Sequence, residues 1–282
     1  MSTAQRAVLI TGCSSGIGLC AAQTLPKHGY RVFATARKPE DVAALRAQGV
    51  NALSLDLDSS ASIAEVATEV LRQTEGKLYA LVNNAGFGLP GAVEDLSRAA
   101  LRAQFETNVF GTQELTNRLL PAMRLADEGR VIQISSLLGI VNLPYRGAYS
   151  ASKFALEALS NTLRLELRGT NIHVVLIEPG PIQTEFRGNS HAAYKKWLDT
   201  ENSPHRQYYA NVESRLVGET SSPFTAEPAD VVAEIIRALD APRPTPRYPV
   251  TVPAKLFSLL RRILSDRTLD RLLMRVSGGG KR

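Results

Sequence analysis

Cysteine is scarce: the 282 residues hold two, Cys13 and Cys20. Neither sits in a disulfide or metal-binding pattern, which excludes a disulfide-stapled secreted scaffold and predicts a reducing compartment. The four histidines, His28, His173, His191 and His205, are scattered with no ligand spacing, so no metal is expected. No run approaches the roughly 20 apolar residues of a membrane span. No apolar stretch follows a basic start, so no signal peptide is read and the expected location is cytoplasmic. Evenly spread basic charge is missing too. From Lys255 onward, eight Lys or Arg stand against two Asp or Glu, a balance of +6 that equals that of the whole chain. A basic tail on an otherwise balanced protein argues against a general nucleic-acid binder, which spreads cations over a face.

What is present is an ordinary globular composition, 44% hydrophobic and 21% charged. Apolar runs at 7–11, 31–35, 52–55, 79–83, 130–135, 172–177 and 247–250 read as strands. Helical patterns at 39–48, 60–74, 97–125, 149–168 and 227–239, with another following the first strand, fall between them. Strands alternating with helices predict an α/β fold, a Rossmann-type doubly wound parallel sheet of about seven strands. No internal repeat or second core is visible, so the chain reads as a single domain, 1–282. It divides into a cofactor-binding and catalytic core (5–185), a polar, aromatic-bearing substrate lid (186–225) and a C-terminal region (226–282). In that last region, apolar residues at helical spacing from Ala254 to Val276 predict a basic amphipathic tail helix.

The chemistry lies at the ends of the strands. T-G-C-S-S-G-I-G at 11–18 follows a strand and opens a helix. Gly12 permits a tight turn, Gly16 lets backbone approach a pyrophosphate, and Gly18 lets helix and strand pack, while Ser14, Ser15 and Ile17 fill the turn. The helix N-terminus then faces the phosphates. After the second strand, where an acid would bind a ribose hydroxyl, stand Ala36, Arg37 and Lys38; an Arg there accommodates a 2′-phosphate, which points to NADP. Asn83, Ala85 and Gly86, in N-N-A-G, are small or polar at a strand end, where backbone can approach a ligand. Tyr149 and Lys153 in Y-S-A-S-K share a helix face one turn apart. A nearby ammonium is expected to lower the phenol's pKa from about 10.

These motifs, in this order, resemble the short-chain dehydrogenase/reductase family over residues 7–250, within it most closely bacterial NADP-dependent aldehyde reductases and the retinol and 17β-hydroxysteroid dehydrogenase-like group. The resemblance implies that Asp56 and Leu57 meet the adenine, although a plain turn or N-cap role for Asp56 is equally open. It implies that the N-N-A-G segment supports the sheet and lines the adenosine ribose. It implies that Pro179, Gly180, Ile182 and Thr184, in P-G-P-I-Q-T, curl around the nicotinamide. Tyr149 would then exchange a proton with the substrate oxygen and Ser136 would polarise that oxygen. Lys153 would hold the nicotinamide ribose, and Asn108 a water linking Lys153 to solvent.

Apolar residues around Ser136, among them Leu138 and Leu143, with Phe87 opposite, suggest an apolar carbonyl or alcohol such as an aldehyde, retinoid or steroid-like ketone. Two rivals share most of these motifs: a 3-ketoacyl-type reductase, and a non-catalytic NADP-binding sensor, which would be expected to lack the Tyr or Lys. The long helices at 97–125 and 149–168 suggest a homo-oligomer. The tail, 254–282, has two readings, a cover for the pocket or a subunit contact and a peripheral membrane contact.

Overall fold

The computed structural model describes residues 5–209, 212 and 224–277, and each of the seven apolar runs is a strand in it. They are β1 (Ala7–Ile10), β2 (Arg31–Ala36), β3 (Asn51–Ser54), β4 (Leu78–Asn83), β5 (Gly129–Ile134), β6 (Ile172–Glu178) and β7 (Arg247–Pro249). All pairings are parallel, in the order β3-β2-β1-β4-β5-β6-β7. Parallel neighbours need crossovers, and these are supplied by α1 (Gly16–Thr24), α2 (Pro39–Ala47), α3 (Ser60–Gln73), α4 (Arg98–Phe105), α5 (Thr112–Ala126), α6 (Gly147–Glu166) and α8 (Pro228–Asp240), with α7 (Phe186–Trp197) preceding α8. The order reverses beside β1, so a crevice opens at the carboxyl ends of β1 and β4.

Alternation along the strands sorts the core into two layers. Val8, Ile10, Ala34, Val82, Ile132, Val175 and Ile177 pack on one side with Ala21 and Ala22 of α1 and Val231, Val232 and Ile235 of α8. Leu9, Phe33, Leu81, Val131 and Val174 pack on the other with Ile63 and Val66 of α3 and Leu115 and Leu119 of α5. Each large aliphatic side chain fully buried this way contributes about 1.5–3 kcal/mol.

Three regions differ from, or add to, the expectation. The helical stretch predicted at 97–125 is continuous but carries a π turn at Glu106–Gly111, between α4 and α5. The chain is tight there: a Cβ on Gly111 would lie 1.9 Å from the Leu57 carbonyl oxygen. The single tail helix expected from Ala254 to Val276 is two helices, α9 (Val252–Ile263) and α10 (Asp266–Val276). The break falls at Leu264, which is extended, and Ser265 stands at the N-cap position of a new start with Asp266 in its first turn, its hydroxyl bonded to Thr268 Oγ1 at 3.0 Å. Of the expected lid, α7 opens it, while residues 210–211 and 213–223 lie outside the described residues. Among the described residues, no helix is long and apolar enough to cross a membrane.

Candidate active site

The glycine turn sits at the mouth of the crevice. Gly12 (φ +71°) and Gly16 (φ +55°) adopt backbone that L side chains rarely hold. A Cβ on Gly18 would lie 2.1 Å from the Gly12 carbonyl oxygen, so α1 meets the turn with no room for a side chain. Ser15, the N-cap of α1, makes no side-chain cap, which leaves N–H groups at the helix start for an anion. The turn is braced from β4. Asn84 Nδ2 donates to the carbonyls of Thr11 and Gly12, both at 2.9 Å, and the N–H groups of Asn84 and Ala85 donate to Thr11 Oγ1 at 3.0 and 2.9 Å. Thr11 and Asn84 thus build the cradle, although the motif reading singled out neither.

Arg37 and Lys38 follow β2, exposed, and neither side chain is in an ion pair among the described residues. The Asp56 carboxylate accepts from the N–H of Asp58 at 3.1 Å, a local turn of the kind the sequence left open, and Leu57 is buried. Asn83 is turned away from the crevice: its Nδ2 donates to Thr116 Oγ1 on α5 at 2.9 Å, a sheet-supporting place. Ala85 and Gly86 remain part-exposed at the edge. On the other side, Thr184 reaches the glycine turn, its methyl carbon 2.9 Å from where a Gly16 Cβ would stand. Gly180 is pressed against the tail, since its Cβ would lie 2.1 Å from Thr251 Oγ1. Ile182 bridges Ala226 and the Pro179 carbonyl accepts from the N–H of Leu137 at 2.8 Å. The segments after β1, β4, β5 and β6 therefore converge, as a dinucleotide site requires.

Ser136 follows β5 and Tyr149 and Lys153 lie on the first turns of α6. The Ser136 hydroxyl stands beside Tyr149 and pulls its phenol down, and it accepts from the N–H of Leu138 at 3.1 Å. Burial pushes the Tyr149 phenol up to about 12, outweighing the downward pull of Ser136 and Arg146. This corrects the expected lowering by Lys153. The ammonium is 5.8 Å from the ring centre and donates to the Ile134 carbonyl at 2.7 Å. Burial in turn holds the Lys153 amine down at about 8, with Glu157 pulling it upward. Asn108 stands in the π turn, buried. Its Nδ2 donates to the Phe87 carbonyl at 2.9 Å and Ser152 Oγ at 3.1 Å, and its Oδ1 accepts from the N–H of Phe87 at 3.1 Å. The side chain thus fixes the loop after β4 against α6; π turns often mark such sites.

Behind Lys153 lies a charged cluster that no motif announced. Glu157, one turn further along α6, and Glu178, the last residue of β6, are both buried and share Arg247 of β7. Arg247 Nη1 is 2.7 Å from Glu157 Oε2 and also bonds Glu178 Oε1. Burial and the neighbouring Glu157 push Glu178 up to about 7 despite Arg247, and burial raises Glu157 as well. A carboxylate closing the otherwise apolar run I-H-V-V-L-I-E was the sequence signal for it.

The expected substrate wall divides. Leu138 and Phe87 are part-exposed, whereas Leu143 packs with the tail cluster around Leu137 and Val141. Phe186, at the start of α7, lies edge-on to Tyr149 with ring centres 5.4 Å apart, and it stands against Gly88. Neither contact was foreseen.

A family model described as short chain dehydrogenase matches residues 6–195. The chain is 43% identical to the oxidoreductase YbbO of Escherichia coli, over 95% of this chain and 94% of that protein. It is 35% identical to retinol dehydrogenase 8 of Homo sapiens, over 98% and 92% respectively. The solved structure of a short-chain dehydrogenase from Streptomyces avermitilis superposes over the whole of both chains, with a TM-score of 0.79 and 31% identity. Solved structures of the same fold hold NADP+, NADPH or NAD.

Proposed function

Because this chain belongs to the short chain dehydrogenase family, we propose that it is an NADP(H)-dependent oxidoreductase that reduces an apolar carbonyl compound such as an aldehyde, retinoid or steroid-like ketone. The observation that carries the reading is the Tyr149 hydroxyl, beside Ser136 and one helical turn from Lys153, at the edge of a glycine cradle that fits a dinucleotide. The cradle fits such a group: three glycines stand where side chains would collide or strain, and the N-terminus of α1 lacks a side-chain cap.

When bound, the nicotinamide cofactor supplies or takes up the hydride. This chain's own residues handle the oxygen and the proton. The Ser136 hydroxyl donates to the substrate oxygen and polarises the carbonyl. Tyr149 gives that oxygen a proton. A phenol that burial pushes up is protonated at neutral pH and so has the proton that reduction requires. Lys153 is assigned to hold a ribose hydroxyl and to return a proton towards Tyr149, and Asn108 to keep the Phe87 loop in position. Arg37 and Lys38, exposed and outside any ion pair among the described residues, are assigned to the 2′-phosphate.

The apolar substrate class is supported by Phe186 edge-on to Tyr149, by part-exposed Leu138 next to Ser136 and part-exposed Phe87, and by the human relative's name, a retinol dehydrogenase. Phe186, edge-on to Tyr149, brings the start of α7 to the site. Exposed Phe110, Phe154, Leu159 and Leu165 around α5 and α6 support pairing of two copies through these helices. The test is NADPH oxidation at 340 nm against a panel of apolar aldehydes and ketones, with NADH and Tyr149→Phe alongside. Turnover with NADPH, little with NADH, and a loss of about 100-fold or more in Tyr149→Phe is the expected result. Turnover confined to short charged carbonyls overturns the substrate class, and undiminished Tyr149→Phe overturns the mechanism.

A further inference from the structure

The two tail helices use their inner face fully. Ala254 and Phe257 of α9 and Leu269 and Leu273 of α10 are buried against Leu137 and Val141, in the stretch that follows Ser136. A helix that has buried its apolar stripe should present polar residues outward, and α9 does not. Val252, Leu256, Leu259 and Ile263 recur at steps of four, three and four and are 63%, 49%, 57% and 66% exposed. At 100° per residue they form a second stripe, on the side opposite Ala254 and Phe257, about 16 Å long.

This second stripe is set among cations. Lys255 and Arg262 lie along one border of it. On α10, Arg267, Arg271 and Arg275 recur at every fourth residue and are all exposed. Between Val252 and Val276 there are six Lys or Arg and two acids; one acid, Asp266, is tied to Arg261 at 2.9 Å, leaving Asp270. An apolar strip edged by cations with almost no compensating acid is complementary to one kind of surface: acyl chains beneath anionic headgroups. A second copy of this chain would bring the same cations against themselves.

We infer that the outer face of α9, with the arginine row of α10, docks this protein on an anionic lipid surface. The inner face of the same helices lies on the segment after Ser136, so docking sets the reaction site at the bilayer, where an apolar carbonyl compound partitions. The docking itself does not depend on the proposed reaction; only that delivery role rests on it.

The test is co-sedimentation of the full chain with phosphatidylglycerol-rich vesicles and, separately, with pure phosphatidylcholine vesicles, at low and high salt. Binding to the anionic vesicles alone, weakened by salt, is expected. Leu256→Ser with Leu259→Ser should lower that binding at least about tenfold. Arg267→Gln, Arg271→Gln and Arg275→Gln together should lower it about 100-fold, at roughly fivefold per cation. All of these side chains point outward, so thermal melting should be unchanged, which separates lost docking from lost folding. Equal binding to both vesicle types, no binding, or unaltered binding by the variants overturns the inference. So does a leucine variant that dissociates an oligomer in sedimentation velocity while the parent ignores vesicles, because the stripe would then be a contact between copies.

Discussion

Replacing Arg247 by Met should destabilise the protein by an amount that depends on pH. The guanidinium serves two buried carboxyl groups, Glu157 at 2.7 Å and Glu178. Met keeps much of the stem and removes the charge. Stripping one partner from a buried ion pair costs about 3–5 kcal/mol when the remaining charge cannot escape. Here it can escape by taking up a proton. In the parent, Glu178 already holds its proton up to about 7, against an ordinary 4.5. Between those values the folded protein carries a proton that the unfolded chain has released, so this group's contribution to stability is full at low pH and falls as pH rises. Without Arg247, which pulls both carboxyls down, the folded-state pKa values climb further, and the fall continues above pH 7 and includes Glu157. Near pH 5 the variant should lie within about 1 kcal/mol of the parent, the cost of altered packing alone. The gap should then open by up to about 1.4 kcal/mol per pH unit for each carboxyl and reach about 3–5 kcal/mol near pH 8. Urea unfolding curves across this range measure it directly. A gap that stays constant with pH, or narrows as pH rises, would refute the reasoning. Glu178→Gln added to Arg247→Met should recover part of the loss at pH 8, as a double-mutant cycle would report.

Other outcomes follow from the same geometry. Gly18→Ala places a Cβ 2.1 Å from a backbone oxygen, so it should cost about 1–3 kcal/mol in stability and abolish measurable dinucleotide binding in a fluorescence titration. Arg37→Ala should weaken NADPH about tenfold to a hundredfold by removing a charge-assisted bond, with NADH nearly untouched; equal losses for both would remove Arg37 from the 2′-phosphate. Burial holds the Lys153 amine at about 8, below its ordinary 10.5. With no cofactor added, the unfolded chain therefore binds the extra proton between those values, and stability should rise with pH there; Lys153→Met should flatten that rise in unfolding curves.

Much of this site could be read from the order of residues because strand-end loops carry it. A glycine turn after an apolar strand, or a Tyr and Lys four apart, needs only local geometry to be understood. The parallel sheet then brings Gly12, Asn84, Ser136 and Pro179 to one edge whatever the details. The cluster of Glu157, Glu178 and Arg247 went unread for the complementary reason, although the carboxylate closing β6 hinted at it. They belong to one helix and two strands, and only the pairing of β6 with β7 and the packing of α6 place them together. The Tyr149 phenol misled because spacing puts Lys153 on the right face but does not say where its ammonium turns; the Ile134 carbonyl takes it. The tail broke at Leu264 and Ser265 although its apolar spacing ran on, since both residues take extended backbone there.

The contact between Gly180 and Thr251 bears on how this chain could be recombined with its relatives. Thr251 Oγ1 accepts from the N–H of Ala254 to cap α9 at 3.3 Å and also fills the space a Gly180 side chain would need. Arg247 answers two acids of the core, and the tail covers the residues after Ser136. The last third is thus fitted to the first two at three separate seams. A chimera joined anywhere between Gly180 and Arg247 would inherit one half of each seam, so domain exchange aimed at new specificity has crossover points that spare all three before β5.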